Sequence, residues 1–415
     1  MKRTLTIITL LITSFNSIFS QINDSIDMTA GYALDVYYNL ETGNHPEISN
    51  SEWTVAFSTG AQTSSILIND GRDVELYKTT EDIANFATIG FADTAGIANT
   101  WTKIYNDYQD WEHSAYEDGT TGHPNYGWGS YNSVSHIVTG DKVFILKSLN
   151  STYYKTMVVK KDNGAWHYRY ATLDNSMDTT LVYQATDLLE RNFAFLNMDN
   201  HTVLNREPSN TDWDMLFTKY YDTGISYTTT GVLVNKGVEV LQVDGDTTHT
   251  ATYVGETFGE ATNAIGTGWK SFNMTTFTFD IVAGRTYFVK QLDGDIYKLI
   301  FTRFDGQSTG KTLFSKELLT SAPSAINENG NINAFSIYPN PTNNIAHILF
   351  DADAQYQTEI SIYNVVGKQV YNETLSINHG LSTVNIDVKD LHQGIYFVKI
   401  QNGTKTQTLK LNVAH

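Results

Sequence analysis

A chain of 415 residues with 45 Asp and Glu against 27 Lys and Arg carries a formal net charge of -18, which repels phosphate backbones and excludes nucleic acid as an expected partner. Cysteine is absent, so disulfides, thiolate zinc sites, cysteine nucleophiles and a lipid on an N-terminal cysteine are excluded too. The length allows two or three domains with cores of their own, and 25 Tyr and 20 Phe beside frequent Thr, Val and Ile favour strands over helices.

The first residues, "MKRTLTIITLLITSFNSIFSQ", set Lys2 and Arg3 before an apolar run from Leu5 to Ile12, then Ser17 and Ser20 before Gln21. That order is a secretory signal peptide, expected over residues 1–20 with cleavage after Ser20. The run is too short to span a bilayer, and no later segment approaches about 18 uninterrupted apolar residues. The expectation is an exported protein without a transmembrane span.

The rest says nearly the same thing twice. "SNSEWTVAFS" from Ser49 and "SNTDWDMLFT" from Ser209 place Trp53 and Trp213 160 positions apart (213 minus 53). Trp53, Val55 and Phe57 alternate with Glu52, Thr54 and Ala56, and Trp213, Met215 and Phe217 do likewise, as a strand with one buried side requires. The flanks follow. "YYNLETGNHPEISNSEW" is echoed by "AFLNMDNHTVLNREPSNTDW", and "GWGSYN" from Gly127 by "GWKSFN" from Gly268. "KVFILKSLNSTYYKTMVVK" from Lys142 matches "RTYFVKQLDGDIYKLIFTR" from Arg285 at a constant offset of 143 (285 minus 142, 298 minus 155). Three blocks in one order mean two copies of one unit, expected at 21–175 and 176–319. Each copy reads as about ten short antiparallel strands, with "NDG" at 69, "LNS" at 149, "VDGD" at 243 and "LDGD" at 292 as hairpin turns. "TEDIANFATI" and "ATDLLERNFAF" hold a helical turn or two at most. The expected class is all-β.

The tryptophan-led strand, the "G-W-x-S-aromatic-N" block and the closing "TYFVKQLDGDIYKLIFTRFDGQSTGK" resemble the HmuY family of secreted haem-binding proteins, over most of residues 27–320. The resemblance implies two tandem HmuY-like β domains and a haem clamped between hairpins by two His or Met ligands; the family's ligand loops do not map onto particular positions here. A haem site needs imidazole or thioether donors on either side of a flat slot. His113 and His123, in "WEHSAYEDGTTGHPNYGWGSY", are separated by Gly119 and Gly122, so a loop could bring both to one iron; surface loop histidines are the alternative. In the second copy Met274 is a further candidate, while Met215 reads as packing. His136 and His167 read as ordinary strand positions. Tyr105, Tyr108, Trp111, Tyr116, Tyr126, Trp128 and Tyr131 form an aromatic run that suits stacking on sugars or other flat groups, with at least half expected in the core.

From Thr320 the composition turns to Pro, Ser, Asn and Gly, a linker over 320–334. Beyond it, "YPNP", "IYNVVGKQV", "GIYFVKI" and a final "LKLNV" alternate as a small Ig-like β-sandwich over 335–415. These motifs resemble the type A C-terminal sorting domain of the type IX (Por) secretion system of Gram-negative bacteria. That implies passage to the outer surface, with the type IX translocon and its sorting peptidase as partners and either release or attachment at the cell surface. The positions matching the motifs are structural: Pro339 and Pro341 stiffen the start, Gly367 and Gly394 allow turns, Lys399 and Lys410 present charge.

No GxSxG elbow, HExxH, Walker loop or dinucleotide fingerprint occurs. A non-enzymatic exported haem-binding protein is the expectation, and a surface adhesin or glycan-binding component without haem is the alternative.

Overall fold

The computed structural model describes residues 21–60, 63–245, 250–320, 332–352, 356–377, 380–402 and 405–414. The expected signal peptide, and the linker up to 331, lie outside the described residues. The chain divides into two compact units, one ending at Thr320 and one beginning at Ser321. Both are built of antiparallel sheets. The described α-helix is the five-residue Ala95–Asn99, and the helical turns expected at 80–89 and 185–195 are the 3-10 turns Ile83–Asn85 and Ala185–Leu188.

Turn chemistry sets the local pairings. Tyr153–Asp162 and Ala165–Thr172 are joined through Asn163 and Gly164, both at positive φ (47° and 78°), the pair of left-handed residues that a tight hairpin needs. "LNS" and "LDGD" also close hairpins, between Phe144–Lys147 and Tyr153–Asp162 and between Arg285–Lys290 and Ile296–Phe304. "NDG" at 69 does not. It forms the 3-10 turn Asp70–Arg72, which carries the chain from Ile66–Ile68 in one sheet to Glu75–Lys78 in another. "VDGD" at 243 ends a strand whose hydrogen-bonded partner is Arg285–Lys290.

The sheets of the first unit form two modules. In the first, an outer sheet runs Asp178–Gln184, Ala165–Thr172, Tyr153–Asp162, Phe144–Lys147, Glu75–Lys78, and an inner one runs Thr202–Leu204, Phe193–Asn197, Val55–Ser58, Ile66–Ile68. In the second, the outer sheet is Ile22–Asp27, Lys311–Thr320, Ile296–Phe304, Arg285–Lys290, Glu239–Asp244, and the inner one is Tyr227–Val234, Met215–Asp222, Leu34–Tyr38, Glu47–Ser49. The modules trade equivalent strands. Leu34–Tyr38, which precedes the Trp53 segment, pairs with Met215–Asp222 of the second copy, and Phe193–Asn197, which precedes the Trp213 segment, pairs with Val55–Ser58 of the first. Ile22–Asp27 closes the second module against its last strand. The expected divide at 175/176 falls between two hydrogen-bonded neighbours, Ala165–Thr172 and Asp178–Gln184. The short connectors, Asn50–Thr54 and Asn205–Asp214, cross from one inner sheet to the other instead of folding back.

Each module buries its own core. Val55, Phe57, Phe144, Trp128, Trp166 and Tyr168 pack in the first, and Val36, Phe217, Tyr287, Trp269, Phe301 and Phe314 in the second. A third cluster lies between the inner sheets and includes Tyr37, Trp53, Phe195, Trp213, Leu216 and Leu233. Here the expected face assignment needs correction. Trp53 and Trp213 pack in this seam, opposite to Val55 and Phe57 or Met215 and Phe217, because the strands begin only at Val55 and Met215 and the alternation does not reach back to the tryptophans. The surroundings of the two are equivalent. Trp53 meets Phe195 edge-on at 5.1 Å and 82°, and Trp213 meets Tyr37 at 5.1 Å and 80°. Asn69 Nδ2 donates to the carbonyls of Asn50 and Trp53, and Asn235 Nδ2 donates to those of Asn210 and Trp213.

The second unit is a β-sandwich of a three-stranded and a four-stranded sheet around Ile348, Ile360, Ile362, Tyr396, Val398 and Ile400. Gly367 takes the turn conformation expected of it, at φ 79°. Gly394 instead opens the strand Gly394–Asn402. Lys410 is exposed and Lys399 half-buried. Pro339 and Pro341 follow the first strand, Ile332–Tyr338.

Candidate functional site

A concave surface carrying imidazoles, phenols and a buried amine lies in the first module, a pocket of about 640 Å³. Its wall is the hairpin Gly129–Asn132/Ile137–Gly140, which contributes Tyr131, His136 and Val138; the preceding loop adds His123 and Tyr126. The opposite side is polar, with Ser64, Asp162 and Asn163. Tyr131 links the two histidines. Its ring lies 4.8 Å from that of His123, and its hydroxyl is 2.6 Å from His136 Nδ1. His123 Nδ1 is 3.4 Å from the Tyr126 hydroxyl. His136 has φ 59° at the end of the hairpin turn, which presents its ring beside Tyr131.

The floor is held by buried ionisable groups. Lys161 donates to the carbonyls of Gly60 (2.8 Å) and Thr63, and its amine sits 4.7 Å over the Trp166 ring. Burial away from water pushes its pKa down to about 8. Behind the floor, Glu117 accepts from Ser64 Oγ at 3.0 Å, and burial raises its carboxyl to about 7. Gly127, at φ 80°, runs against the Glu117 backbone, where a Cβ would come within 2.6 Å, so only glycine fits there.

Of the residues singled out from sequence, the structure places His123 in the pocket. His113 is not among the residues that line it; it is exposed, 2.5 Å from Asp110, whose hydrogen bond raises the imidazole pKa. Met274 stands on a hairpin tip of the second module, 73% exposed. Of the seven aromatics from Tyr105 to Tyr131, Tyr108, Trp111, Tyr116 and Trp128 are buried, Tyr105 stacks on Tyr221 at 3.6 Å, and Tyr126 and Tyr131 line the pocket.

His136, expected as an ordinary strand position, instead ends the hairpin turn and lines the pocket. The hairpins of the two modules correspond at an offset of 141 (270 minus 129, 278 minus 137). That puts Phe272 opposite Tyr131, Phe277 opposite His136 and Phe279 opposite Val138. The 143 offset of the long strands puts Phe304 opposite Lys161. In the second module phenyl rings pack into one another at these positions, Phe272 on Phe279 at 5.1 Å and Phe279 on Phe304 at 4.9 Å. Lys270 takes over the buried amine's place, donating to the Thr230 carbonyl at 2.6 Å and lying 4.3 Å over Trp269. One copy carries imidazoles and hydroxyls at these positions, and the other carries phenyl rings, of which Phe272 and Phe277 are exposed and Phe304 is buried.

Residues 336–414 match the secretion system C-terminal sorting domain. This segment is a type IX sorting domain; the protein is secreted to the cell surface or the extracellular space, and its tail engages the type IX machinery. Among the described residues no helix is long and apolar enough to cross a membrane. No curated protein matches the chain. Among solved structures it is similar to dimeric latent PorU from Porphyromonas gingivalis, at 8% identity and a TM-score of 0.18, over 68% of this chain and 32% of that one. It thus spans about a third of the length of that protein. It is also similar to a fungal alcohol oxidase of the AA5 family in complex with copper, at 10% identity and a TM-score of 0.16, over 94% of this chain and 95% of that one. Likenesses this weak carry no argument about fold or chemistry.

Proposed function

We propose that this secreted protein is a non-enzymatic ligand-binding protein, and that the His123–Tyr131–His136 pocket takes haem. The observation that carries the reading is the donor set. Two imidazoles share one pocket, and each has Nδ1 beside a tyrosine hydroxyl. A ligating histidine is commonly oriented by such an outer-shell partner, with Nδ1–H donating and Nε2 left for iron. The volume and the Tyr131 and Val138 side chains suit a flat ligand with an apolar face. The resemblance of the repeats to a haem-binding family points the same way. Haem, when bound, would supply the iron; this chain supplies His123 and His136 to hold it and Tyr126 and Tyr131 to orient them.

A second reading has its own observation. Ser64, Ser135, Asp162 and Asn163 make one side of the pocket hydrogen-bonding rather than apolar. Tyrosine faces with such groups also suit a surface glycan. Titration of the purified chain with haemin separates the two. Haem binding gives a sharp, shifted Soret band that weakens in His123→Ala and His136→Ala and is unchanged in His113→Ala. A spectrum identical to free haemin at equimolar protein ends the haem reading, and binding on a glycan array would then support the second.

A further inference from the structure

The outer sheet of the first module ends at Asp178–Gln184, which pairs with Ala165–Thr172 on one side and, among the described residues, has no strand on the other. The register decides which of its backbone groups face outward. The Thr172 N–H donates to the Met177 carbonyl and the Ala185 N–H to the Gly164 carbonyl, bracketing the pair. Bonded positions alternate along an antiparallel strand, so Thr179, Leu181 and Tyr183 bond to Ala165–Thr172. Asp178, Thr180, Val182 and Gln184 turn their N–H and C=O groups to the open side. Asp178, Thr180 and Val182 are exposed, Val182 at 60%.

An open edge recruits another strand unless its sequence prevents that. The other end strands of the four larger sheets in this unit are blunted. Glu47–Ser49, Ile66–Ile68, Thr102–Ile104 and Thr202–Leu204 are three residues each. Tyr227–Val234 and Glu239–Asp244 carry backbone bonds to the loop over 259–266, between Val232 and Gly266 and between Val240 and Gly259. Ile22–Asp27, which takes in the second module the place of Asp178–Gln184 in the first, carries Asp24 and Asp27. Asp178–Gln184 has seven residues, no lysine, no proline and an unbroken register. Its one charge, Asp178, is paired with Arg169 at 2.6 Å. On a chain of net charge -18, this neutral run of Thr, Leu, Val and Tyr is the end strand left open among the described residues.

We propose that Asp178–Gln184 is a self-association edge, to which a second copy of the chain adds its own Asp178–Gln184, antiparallel, about a two-fold axis at Leu181. The strand is complementary to itself in that register. Outward positions meet outward positions, Thr180 the second copy's Val182 and Asp178 its Gln184, so four opposed pairs each exchange two backbone bonds. No like charges are opposed. Thr180 and Val182 lie side by side on the exposed face, and on the other face Leu181 meets Leu181 and Thr179 meets Tyr183, the β-branched and aromatic pairings that stabilise sheets. A shift of one residue sets outward groups against positions already bonded to Ala165–Thr172, and a shift of two shortens the pairing. The net charge of each copy opposes their approach, and salt screens it.

Sedimentation of the purified chain should show a monomer–dimer equilibrium between about 1 and 100 µM, as a small interface gives, moving toward dimer as salt rises from about 0.05 to 0.5 M. Val182→Pro removes an outward N–H and no bond to Ala165–Thr172, and should leave monomer alone. In a chain without cysteine, Leu181→Cys should oxidise to a covalent dimer, because residues on the axis form a non-hydrogen-bonded pair about 4.5 Å apart. Val134→Cys, at a position 90% exposed on another hairpin, should stay a monomer. A monomer at every concentration of the unmodified protein, leaving the edge to a strand of some other protein, overturns the proposal. So does a dimer that Val182→Pro leaves intact, or one that Val134→Cys cross-links as readily as Leu181→Cys. If Val182→Pro fails to fold, the two cysteine variants still decide.

Discussion

Asn69 and Asn235 provide a sensitive check on the equivalence of the two copies. Each is almost fully buried, at 4% and 2% exposed. Each amide donates two hydrogen bonds of 2.7–2.9 Å to carbonyls on either side of its tryptophan segment. Replacement with alanine removes two bonds of about 0.5–1.5 kcal/mol net each and leaves carbonyls short of a partner, so the expected loss is about 2–4 kcal/mol for either variant. Equilibrium unfolding in guanidinium, followed by tryptophan fluorescence, reads the loss directly for the unit ending at Thr320. Asn235 Oδ1 also accepts from Asn192 Nδ2 and the Lys236 N–H, so Asn235→Ala should lose more than Asn69→Ala, and both should unfold in one transition, since each inner sheet contains strands from both copies. A loss below about 0.5 kcal/mol in both, or a larger loss in Asn69→Ala than in Asn235→Ala, would refute the reasoning.

Tyr131→Phe removes the hydroxyl beside His136 while keeping the ring beside His123; haemin affinity should fall about 10–100-fold, the usual cost of losing an outer-shell partner, and an unchanged titration curve would deny Tyr131 that role. Burial raises Asp70, Glu117 and Glu207 to about 7 and Asp214 to about 6. Their folded values lie above their unfolded ones, so their stabilising effect is full below about pH 4 and is lost as pH rises toward 7. Lys161 and Lys270 are lowered by burial to about 8 and about 7, so theirs is full above about pH 10.5 and is lost as pH falls toward those values. Chemical denaturation across pH should find a stability minimum near pH 7–8, and Glu207→Gln should flatten the acid limb; a maximum at neutrality would contradict these assignments. A chain lacking residues 335–415 should remain in the periplasm, detected by fractionation, whereas surface display of the truncated form would contradict the role of the sorting domain.

What could be read from sequence was what periodicity and turn chemistry encode locally. Val55 and Phe57, Met215 and Phe217, and Tyr396, Val398 and Ile400 share buried faces as their alternation requires. The tail's sandwich followed from the same signal. Strand exchange was not legible, because alternation fixes which side of a strand is buried and not which neighbour it pairs with. Duplication aggravates this, since the segment Leu34–Tyr38 has two near-identical partners available, Val55–Ser58 and Met215–Asp222. The decision rests on connectors pinned by Asn69 and Asn235, a long-range effect. Of the candidate pocket, the aromatic run contributes Tyr126 and Tyr131. The loop with Gly119 and Gly122 between His113 and His123 suggested a shared site; in the structure His123 lines the pocket and His113 does not, while His136 reads locally as a strand position.

The exchange can be caught covalently in a chain without a cysteine of its own. Asp27 and Lys311 are exposed and face each other across the antiparallel pair that closes the second module, 284 positions apart (311 minus 27). Such opposed pairs hold their Cα atoms about 4.5–5.5 Å apart, within disulfide reach. Under mild oxidation the Asp27→Cys, Lys311→Cys double variant should form an intramolecular disulfide, seen as a faster, reductant-sensitive band in a denaturing gel. Two free thiols remaining in the monomer would mean that the N-terminal strand does not complete the second module.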